Sequence, residues 1–457
     1  MTRNANKNNK ECEKCWIFDL NQFKMITNSI LEENTLVLEI NQNYEVSVLM
    51  DYDVFLENGI LTFKDFVNDN SKSAQVLTGS LKTGILNKMS QSISEGLLNK
   101  TTNRRTYYIT EPTPLIGHTA FGLIDRGTNV IQVRGLSGCN INCPFCSVDE
   151  GIHSKSRKND YYVDKDYLVS EYEKIADFKG YKKLEAHLDG QGEPSLYYPL
   201  PDLVQNLNEI NSKNNGIVSI QTNGVHLTEK LIDDLEVAGL HRINLSINAM
   251  DEKFSKGLSG SKNYDIEKIM KIAEYIKNSK IHLLIAPLLL PNYNDEEFKK
   301  VLDFAVELEQ KNPQNTINPI TNKKNPIVGP QLCLTYQFGR KIPKMRVWDF
   351  PKFYNLLDVY HKEYLKDGIN VDLEVPLHGF FGSHGRKRLP CPFKLNETIS
   401  VTVLMDGRVN GEVIGASKNR VIQIIDCKTD INKLIGKRVK VKVLRVKDNV
   451  IVGSMVK

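Results

Sequence analysis

The stretch Gly138-Cys139-Asn140-Ile141-Asn142-Cys143-Pro144-Phe145-Cys146 places three thiols at C-x3-C-x2-C spacing, directly after the short apolar run 130–133. Thiolates are soft ligands that select zinc or iron–sulfur clusters. Three of them on one loop can hold three irons of a [4Fe–4S] cube and leave the fourth iron open. A zinc site needs four ligands, and no second C-x2-C pair adjoins this loop. A chance cluster of buried thiols is the alternative, and the regular spacing opposes it.

The chain after the cysteine loop alternates between predicted helices and strands. Apolar residues at helical spacing predict helices around 168–176, 203–210, 228–239, 266–276 and 295–308. Apolar runs predict strands at 184–188, 217–220, 243–247, 282–286 and 331–336. This alternation indicates βα units on a parallel sheet, with ligands at the carboxyl ends of the strands. With 130–133 the strands number six, which favours an open, partial barrel.

A second motif follows about fifty residues after the cysteine loop, where the strand 184–188 leads into Gly190-Gln191-Gly192-Glu193-Pro194. The two glycines let the backbone approach a ligand closely, and Glu193 supplies an anion. Such a motif alone is more often an ordinary turn. Together with the cysteine loop and its aromatic Phe145, it resembles the radical S-adenosylmethionine (SAM) superfamily.

The resemblance implies an α/β fold with a partial (βα)6 barrel, and two cofactors, a [4Fe–4S] cluster and SAM. It implies that Cys139, Cys143 and Cys146 hold the cluster, whose open iron chelates the amino and carboxylate groups of SAM. Reductive cleavage then yields methionine and a 5′-deoxyadenosyl radical that abstracts hydrogen from the substrate. An electron donor such as ferredoxin or flavodoxin is implied as a partner.

The resemblance also assigns contacts to SAM. The expected cofactor-binding residues are Phe145, Gly190, Gly192, Glu193, Thr222, Ser246 and Asn248. Many members of the superfamily have aspartate where Asn248 stands, so this position departs from the pattern. Thr222 and Asn223 also fit a plain strand-to-helix turn at Asn223-Gly224. His118, His187 and His378 lie near these segments, but a lone histidine is more often packed than functional. No catalytic residue beyond the cluster is identified.

Composition points to a folded chain in a reducing compartment. The 457 residues are 40% hydrophobic and 25% charged, which excludes wholesale disorder. No apolar run reaches the ~18 residues that a membrane span requires. The Asn- and Lys-rich start lacks a signal-peptide pattern, so a cytoplasmic location is expected. Thiols stay reduced there, and the eight cysteines therefore suggest metal chemistry over disulfides.

Two of the remaining cysteines, Cys12 and Cys15, form a C-x2-C pair near the start of the chain. They could bind a second metal or cluster together with Cys333 or Cys391. Two thiols do not close a tetrahedron, so an unliganded terminal pair is the alternative.

The chain divides into four predicted segments. Residues 1–110 are an N-terminal α+β extension of unclear role, with strand-like runs at 36–49 and 54–63 and a helix at 80–99. Residues 111–366 are the partial βα barrel, including an insert at 311–330 with five Asn and four Pro that predicts a surface loop. Residues 367–397 are a linker. Residues 398–457 carry five short strands and predict a small OB-like β-barrel.

Charge separates this last segment from the rest. Residues 386–457 contain 16 Lys and Arg against 6 Asp and Glu, a balance of +10, whereas the remaining chain carries −5. Residues 398–457 resemble a TRAM domain, a module found on RNA-modifying enzymes, and the whole chain resembles uncharacterised archaeal radical SAM proteins with a terminal TRAM module. The expected nucleic-acid contacts are Arg386, Lys387, Arg388, Lys437, Arg438, Lys440 and Lys442. A charged, solubilising barrel is the alternative.

Three functions remain open from the sequence. The first is a radical SAM enzyme that modifies RNA, with tRNA favoured because the basic tail suits a polyanion. The second is a radical SAM enzyme that acts on a protein or small metabolite and uses the barrel as an interaction module. The third is a non-catalytic Fe–S protein, which the intact glycine–glutamate motif disfavours.

Overall fold

The computed structural model of the protein describes residues 16–63, 72–343, 345–376 and 379–456. Cys12, Cys15 and His378 lie outside the described residues, so the idea of a second metal site stays a prediction. The chain forms two units, Met1–Lys100 with Arg105–Tyr107, and Thr101–Arg104 with Tyr108–Lys457.

The first unit is built mainly from antiparallel strands. Its elements are β1 (Trp16–Asp19), β2 (Ile26–Glu32), β3 (Thr35–Ile40), β4 (Tyr44–Leu49), β5 (Val54–Glu57), β6 (Ile60–Phe63), α1 (Lys72–Glu95) and β7 (Leu97–Asn99). The strands β2, β3, β4 and β7 are neighbours in one sheet, and β6 lies between β1 and β5 in another. The predicted helix 80–99 ends at Glu95, because Gly96 adopts a positive φ of 126° and the chain then enters β7.

The second unit contains the predicted alternation of strands and helices. Its first strands are β8 (Arg104–Ile109, divided between the units), β9 (Gly122–Asp125), β10 (Val130–Arg134), β11 (Asn159–Val163), β12 (Glu185–Leu188), β13 (Ile217–Thr222), β14 (Arg242–Leu245) and β15 (His282–Ile285). The helices between them are α2 (Lys165–Lys179), α3 (Leu200–Asn211), α4 (Glu229–Val237), α5 (Glu252–Ser259), α6 (Ile266–Asn278) and α7 (Asp295–Lys311). Asp164 caps α2 and Thr228 caps α4 through their side chains, as their sequence positions predict.

One six-stranded sheet organises this unit, in the order β15-β14-β13-β12-β10-β9. The five strands from β10 to β15 in this order run parallel, whereas β9 pairs with β10 in antiparallel fashion. Nearly all residues of the parallel strands are buried. The carboxyl ends of these strands therefore meet along one edge, where the cysteine loop and the glycine–glutamate motif also emerge.

The predicted strand 331–336 does not extend this sheet. Only Gln331–Leu332 (β19) is extended, and it pairs in parallel with Leu288–Leu289 (β16) in a separate two-stranded sheet. Pro287 follows β15 and has no N–H to donate, and the ladder of the main sheet ends before it. Thr335 and Tyr336 are exposed. The observed sheet thus has five parallel strands and one antiparallel edge strand in place of the expected six βα units.

The insert 311–330 is more ordered than a plain surface loop. Ile317–Asn318 (β17) and Lys323–Lys324 (β18) form a short antiparallel hairpin. Gln314, Asn318 and Ile320 are buried, and the amide of Gln314 donates to the carbonyl oxygen of Ile281 at 3.0 Å. This hydrogen bond pairs a backbone carbonyl just before β15 and ties the insert to the main sheet region.

The C-terminal part of this unit is helix α8 (Phe350–Lys366), a segment without regular structure, and a closed five-stranded barrel. The barrel strands are β20 (Thr398–Asp406), β21 (Val413–Ser417), β22 (Arg420–Ile425), β23 (Arg438–Arg445) and β24 (Val452–Met455). Val441 and Val443 lie in its core, whereas Lys440 and Lys442 are exposed, which follows from the period of two along β23. The predicted five-stranded barrel is confirmed.

Backbone hydrogen bonds join this barrel to the segment before β9. The N–H of Ile451 donates to the carbonyl oxygen of Gly117 at 3.0 Å, and the N–H of Val421 donates to that of Ile116 at 2.8 Å. A Cβ at Gly117 would lie 2.0 Å from the carbonyl oxygen of Val421, so only glycine fits there. In the described part of the chain, no helix is long and apolar enough to cross a membrane.

Candidate active site

The predicted cluster and cofactor residues converge on one cavity of about 490 Å³ at the carboxyl ends of the parallel strands. It is lined by every residue in the predicted set, namely Cys139, Cys143, Cys146, Phe145, Gly190, Gly192, Glu193, Thr222, Ser246 and Asn248. These residues come from four separate segments of the chain, which the fold brings together.

The environment of the three thiols fits an iron–sulfur cluster. Burial raises the pKa of Cys143 to about 12 and holds that of Cys139 well above its usual value. Metal binding therefore has to displace protons. Two N–H groups point at sulfur: the amide of Glu150 lies 3.3 Å from Cys146 Sγ, and Asn223 Nδ2 lies 3.7 Å from Cys139 Sγ. Such donors stabilise metal-bound thiolates.

These thiols do not resemble a closed zinc site. Among the described residues, no three His, Cys, Asp or Glu side chains are placed to hold one metal ion. A cube distributes its three protein ligands over three different irons, whereas structural zinc draws four ligands to one point. Three thiols on one loop match the three protein ligands of a cluster with one open iron.

Arg340 braces the cysteine loop, and no sequence pattern marked it. Its guanidinium donates to the carbonyl oxygen of Cys143 at 3.0 Å and to that of Glu150 at 2.6 Å. It also pairs with the Asp149 carboxylate at 2.6 Å, while its backbone N–H donates to the carbonyl oxygen of Cys146 at 2.8 Å. Arg340 thus holds the backbone of the loop at Cys143, at Cys146 and at Glu150, just after the last cysteine.

The glycine–glutamate motif touches the cysteine loop directly. A Cβ at Gly192 would lie 2.3 Å from the carbonyl oxygen of Gly138, so a side chain there would push the two loops apart. The Glu193 carboxylate is buried and accepts hydrogen bonds from Thr222 Oγ1 at 2.6 Å, from the N–H of Asn223 at 2.8 Å and from that of Ser195 at 2.9 Å. Glu193 therefore ties the motif to the end of β13 as well as lining the cavity.

Thr222 and Asn223 lie at the cavity and also form the strand-to-helix turn, while their contact with SAM stays a prediction. Both residues line the cavity, and Asn223 Oδ1 also accepts the N–H of Val225 in a strand-to-helix turn. Asn248 Oδ1 accepts the N–H of Leu288 at 2.9 Å, which joins the end of β14 to β16. Gln221 Nε2 donates to Ser246 Oγ at 2.8 Å. The polar rim of the cavity is thus held in place by its own hydrogen bonds.

His187 also lines the cavity, although a lone histidine on a strand gave little reason to expect it. Its Nδ1 lies 2.8 Å from Ser219 Oγ, and that hydroxyl is 2.6 Å from Glu185 Oε1. Glu185 is paired with Arg242 and is therefore an acceptor, so Ser219 donates to it and accepts from His187. This order places the proton of the neutral ring on Nδ1 and leaves Nε2 as an acceptor. Burial lowers the pKa of His187, which keeps the ring neutral.

Asp189 stands beside His187 on the cavity wall. Arg134 Nε donates to its carboxylate at 2.9 Å and Arg134 Nη2 donates at 3.0 Å, and Gln132 adds a further hydrogen bond. The Arg134 guanidinium lowers the pKa of Asp189, although burial opposes the shift. This part of the cavity wall is therefore polar, and the negative charge of Asp189 is paired with the positive charge of Arg134.

Among the described residues, the cysteines outside the loop do not gather into a second metal-binding group. Cys333 is buried and lines the same cavity, whereas Cys391 and Cys427 pack against the core of the C-terminal barrel.

Comparison with known proteins identifies the family. A family model described as Radical SAM superfamily matches residues 133–305, which include the cysteine loop and the glycine–glutamate motif. The chain carries a radical SAM superfamily domain at residues 133–305. As a radical SAM enzyme it uses a [4Fe–4S] cluster and SAM.

Relatives of this radical SAM enzyme fall into two groups. Over 439 residues it is 62% identical to the uncharacterized protein MJ0103 of Methanocaldococcus jannaschii, covering 96% of this chain and 99% of the relative. Over 189 residues it is 28% identical to the GTP 3′,8-cyclase of Clostridium botulinum strain Hall, covering 41% of this chain and 54% of the cyclase. The match thus spans about half the length of the cyclase.

One solved structure that matches part of the chain is that of Streptococcus suis SuiB bound to S-adenosylmethionine. It is 14% identical to this radical SAM enzyme, with a TM-score of 0.38, and the match covers 69% of this chain and 59% of that one.

The predicted nucleic-acid contacts divide into two groups. Arg386 and Arg388 donate to the carbonyl oxygens of Lys182 and Arg126, both at 2.7 Å, and Lys387 lies over the ring of Phe178. These three side chains thus contact the sheet-bearing part of the unit. The second group lies at and along β23 and is exposed: Lys437, Arg438, Lys440 and Lys442.

Proposed function

We propose that this radical SAM enzyme modifies RNA, with tRNA as the favoured substrate. Cys139, Cys143 and Cys146 hold the cluster, and Glu193, Ser246 and Asn248 contact SAM at the polar rim. When bound, these cofactors supply a 5′-deoxyadenosyl radical for hydrogen abstraction. A ferredoxin or flavodoxin provides the electron.

The observation that carries the RNA proposal is the exposed basic face of β23. Arg438, Lys440 and Lys442 alternate with inward residues, so their cationic groups project from one face of the barrel. Cations in a row suit the phosphates of a nucleic acid, which a protein binds with a strong dependence on salt. Phe393 is the one aromatic residue after Arg386, and it is buried, which favours phosphate contacts over base stacking. This face also supports the assignment of the barrel as a TRAM-like module.

Mass spectrometry of tRNA nucleosides from a strain lacking the protein tests this proposal. We expect one modified nucleoside to disappear and to return when the wild-type gene is restored. A gene carrying Cys143→Ala should not restore it, whereas one carrying Cys427→Ala should, because Cys427 lies in the barrel and away from the cavity. An unchanged nucleoside profile in the deletion strain would contradict the RNA proposal.

A second candidate is the radical SAM modification of a small metabolite or a protein, with the barrel as an interaction module. The similarity to GTP 3′,8-cyclases favours it, since their substrate is a free nucleotide. Metabolite and peptide profiles of the same deletion strain separate the two candidates. Loss of a small-molecule or peptide product with intact tRNA nucleosides would favour the second.

A further inference from the structure

We propose that Arg408, carried by the C-terminal barrel, is a positioning residue for the cluster loop and raises the reduction potential of the cluster. Arg408 lies between β20 and β21, and its side chain is 2% exposed. The proposal rests on the assignment of Cys139, Cys143 and Cys146 as cluster ligands.

The guanidinium of Arg408 reaches the middle of the glycine–glutamate motif. Its Nη1 donates to Gln191 Oε1, and its Nη2 donates to the carbonyl oxygen of Gln191 at 2.7 Å. The same carbonyl oxygen lies 3.4 Å from the N–H of Gly138, the residue before the first cysteine. Arg408 therefore fixes the contact between the motif and the start of the cysteine loop.

Arg408 also holds the end of the cysteine loop, because its Nη2 forms an ion pair with Glu150 Oε1. The backbone N–H of Glu150 is the donor that lies 3.3 Å from Cys146 Sγ. A planar guanidinium presents its donors in a wide, fixed fork that fits both partners, whereas a lysine offers all its donors from one nitrogen. Displacement of Glu150 would therefore move the N–H group that faces a ligand sulfur.

Charge gives Arg408 a second influence on the cluster. Arg104 and Arg157 also pair with Glu150, and Glu412 lies near Arg408 as a further carboxylate. Burial and the charge of Arg104 lower the pKa of Arg408 to about 9, while Glu412 opposes the shift, so the group is cationic at neutral pH. Reduction of a cluster adds negative charge, and a buried cation nearby favours the reduced state. Loss of this cation should make reduction harder.

Hydrogen bonds from β11 to the residues just before Arg408 fix its position. Asn159 Nδ2 donates to the carbonyl oxygen of Gly407 at 2.8 Å, and the hydroxyl of Tyr161 donates to that of Asp406 at 3.2 Å. Both donors lie on β11, the strand that follows the cysteine loop. These hydrogen bonds between the barrel and β11 hold Arg408 next to the cysteine loop.

The test compares Arg408→Gln, Arg408→Lys and Arg420→Gln in the full-length enzyme. Arg420 is a matched control, because it is also a buried barrel arginine but donates to Pro390 and Asn419 carbonyl oxygens away from the cavity. Each protein is loaded with iron and sulfide, its metal content and thermal midpoint are measured, and the cluster is titrated with a reductant under EPR detection. SAM affinity is measured by equilibrium dialysis.

We expect Arg408→Gln to shift the cluster midpoint to a more negative potential and to weaken SAM binding about tenfold, as losses around a metal site commonly do. Arg408→Lys retains the positive charge, so its cluster should have a reduction potential close to that of the wild type. It loses the forked contacts, however, and should therefore also weaken SAM binding. Arg420→Gln should change neither quantity.

Equal potentials and SAM affinities in all three variants and the wild type would overturn the proposal. If Arg408→Gln does not fold, the SAM affinity of Arg408→Lys decides the positioning role, and an affinity equal to that of Arg420→Gln rejects it. A failure of the ligand assignment looks different, since Cys143→Ala would then load a complete cluster. That result would remove the basis of this proposal as well.

Discussion

The backbone N–H of Glu193 donates to the carbonyl oxygen of Gly138 at 2.8 Å, so the glycine–glutamate motif and the cysteine loop are bonded to each other. A parallel bridge between Gly138 and Gly192 accompanies this hydrogen bond. The two motifs, which are separated by about fifty residues in the sequence, therefore behave as one structural element. Residues that preserve this contact control the geometry of the whole cavity.

Gly192→Ala should weaken SAM binding and lower stability by about 1–3 kcal/mol, because its Cβ would overlap the carbonyl oxygen of Gly138. Gly257→Ala is the matched control, since nothing lies within 4 Å of the added carbon in helix α5. The control should be neutral or stabilised by up to ~1 kcal/mol. Thermal unfolding and equilibrium dialysis with SAM measure both effects. Equal stability and equal SAM affinity in the two variants would contradict the close contact between Gly192 and the carbonyl oxygen of Gly138.

His187 should react with diethyl pyrocarbonate in the folded protein, because it lines the cavity and its hydrogen bond to Ser219 engages Nδ1 and leaves Nε2 as the nucleophilic nitrogen. His118 and His282 should react slowly, since they are 2% and 1% exposed. The lowered pKa of His187 predicts that its reaction rate falls only below the usual titration range of histidine. Peptide mass spectrometry at several pH values gives each rate. Reaction of His187 as slow as that of His282 would show that its ring does not reach the cavity.

Acid should destabilise the protein partly through His241. Burial lowers the pKa of His241 to about 4, below the usual 6.5. Between pH 6.5 and about 4, this histidine is protonated in the unfolded chain but neutral in the folded chain. The free energy of unfolding is therefore unaffected by His241 above pH 6.5 and decreases as the pH falls from 6.5 to about 4. Thermal midpoints measured across this window should decline less in His241→Gln than in the wild type. An identical decline would exclude His241 as a contributor.

The double variant Lys440→Glu/Lys442→Glu should bind tRNA more weakly and with a shallower dependence on salt. Each lost phosphate contact reduces the slope of log affinity against log salt by about 1. Lys230→Glu/Lys362→Glu changes the net charge equally on exposed helical sites, which are 82% and 66% exposed, and is the control. Fluorescence anisotropy with labelled tRNA measures both series. Equal losses in the two variants would mean that only total charge matters.

The sequence predicted helices and strands well where apolar residues repeat at a constant spacing over several consecutive residues. The spacing of apolar residues gave the helices from α2 to α7, except the short α5, and alternation along β23 gave the two faces of a barrel strand. The pattern located the strand at 331–336 too late in the chain, because a short apolar run does not show which of its residues will meet a sheet edge. The edge of β15 is bridged by Val328, before the predicted strand, and only Gln331 and Leu332 of the run pair as a strand.

The sequence by itself determined the cysteine loop, the glycine–glutamate motif and the alternation of strands and helices, because each depends on residues close together in the chain. Only the tertiary structure placed His187 at the cavity, and only it brought Arg340 and Arg408 into contact with the segments that line the cavity. Arg408 and Glu150 are 258 residues apart, and Arg340 and Glu150 are 190 apart. Contacts of this kind depend on how whole elements pack, and a buried arginine has no local signature that distinguishes it from a solvated one. The chemistry of the loop is thus local, whereas its electrostatic surroundings are a property of the fold.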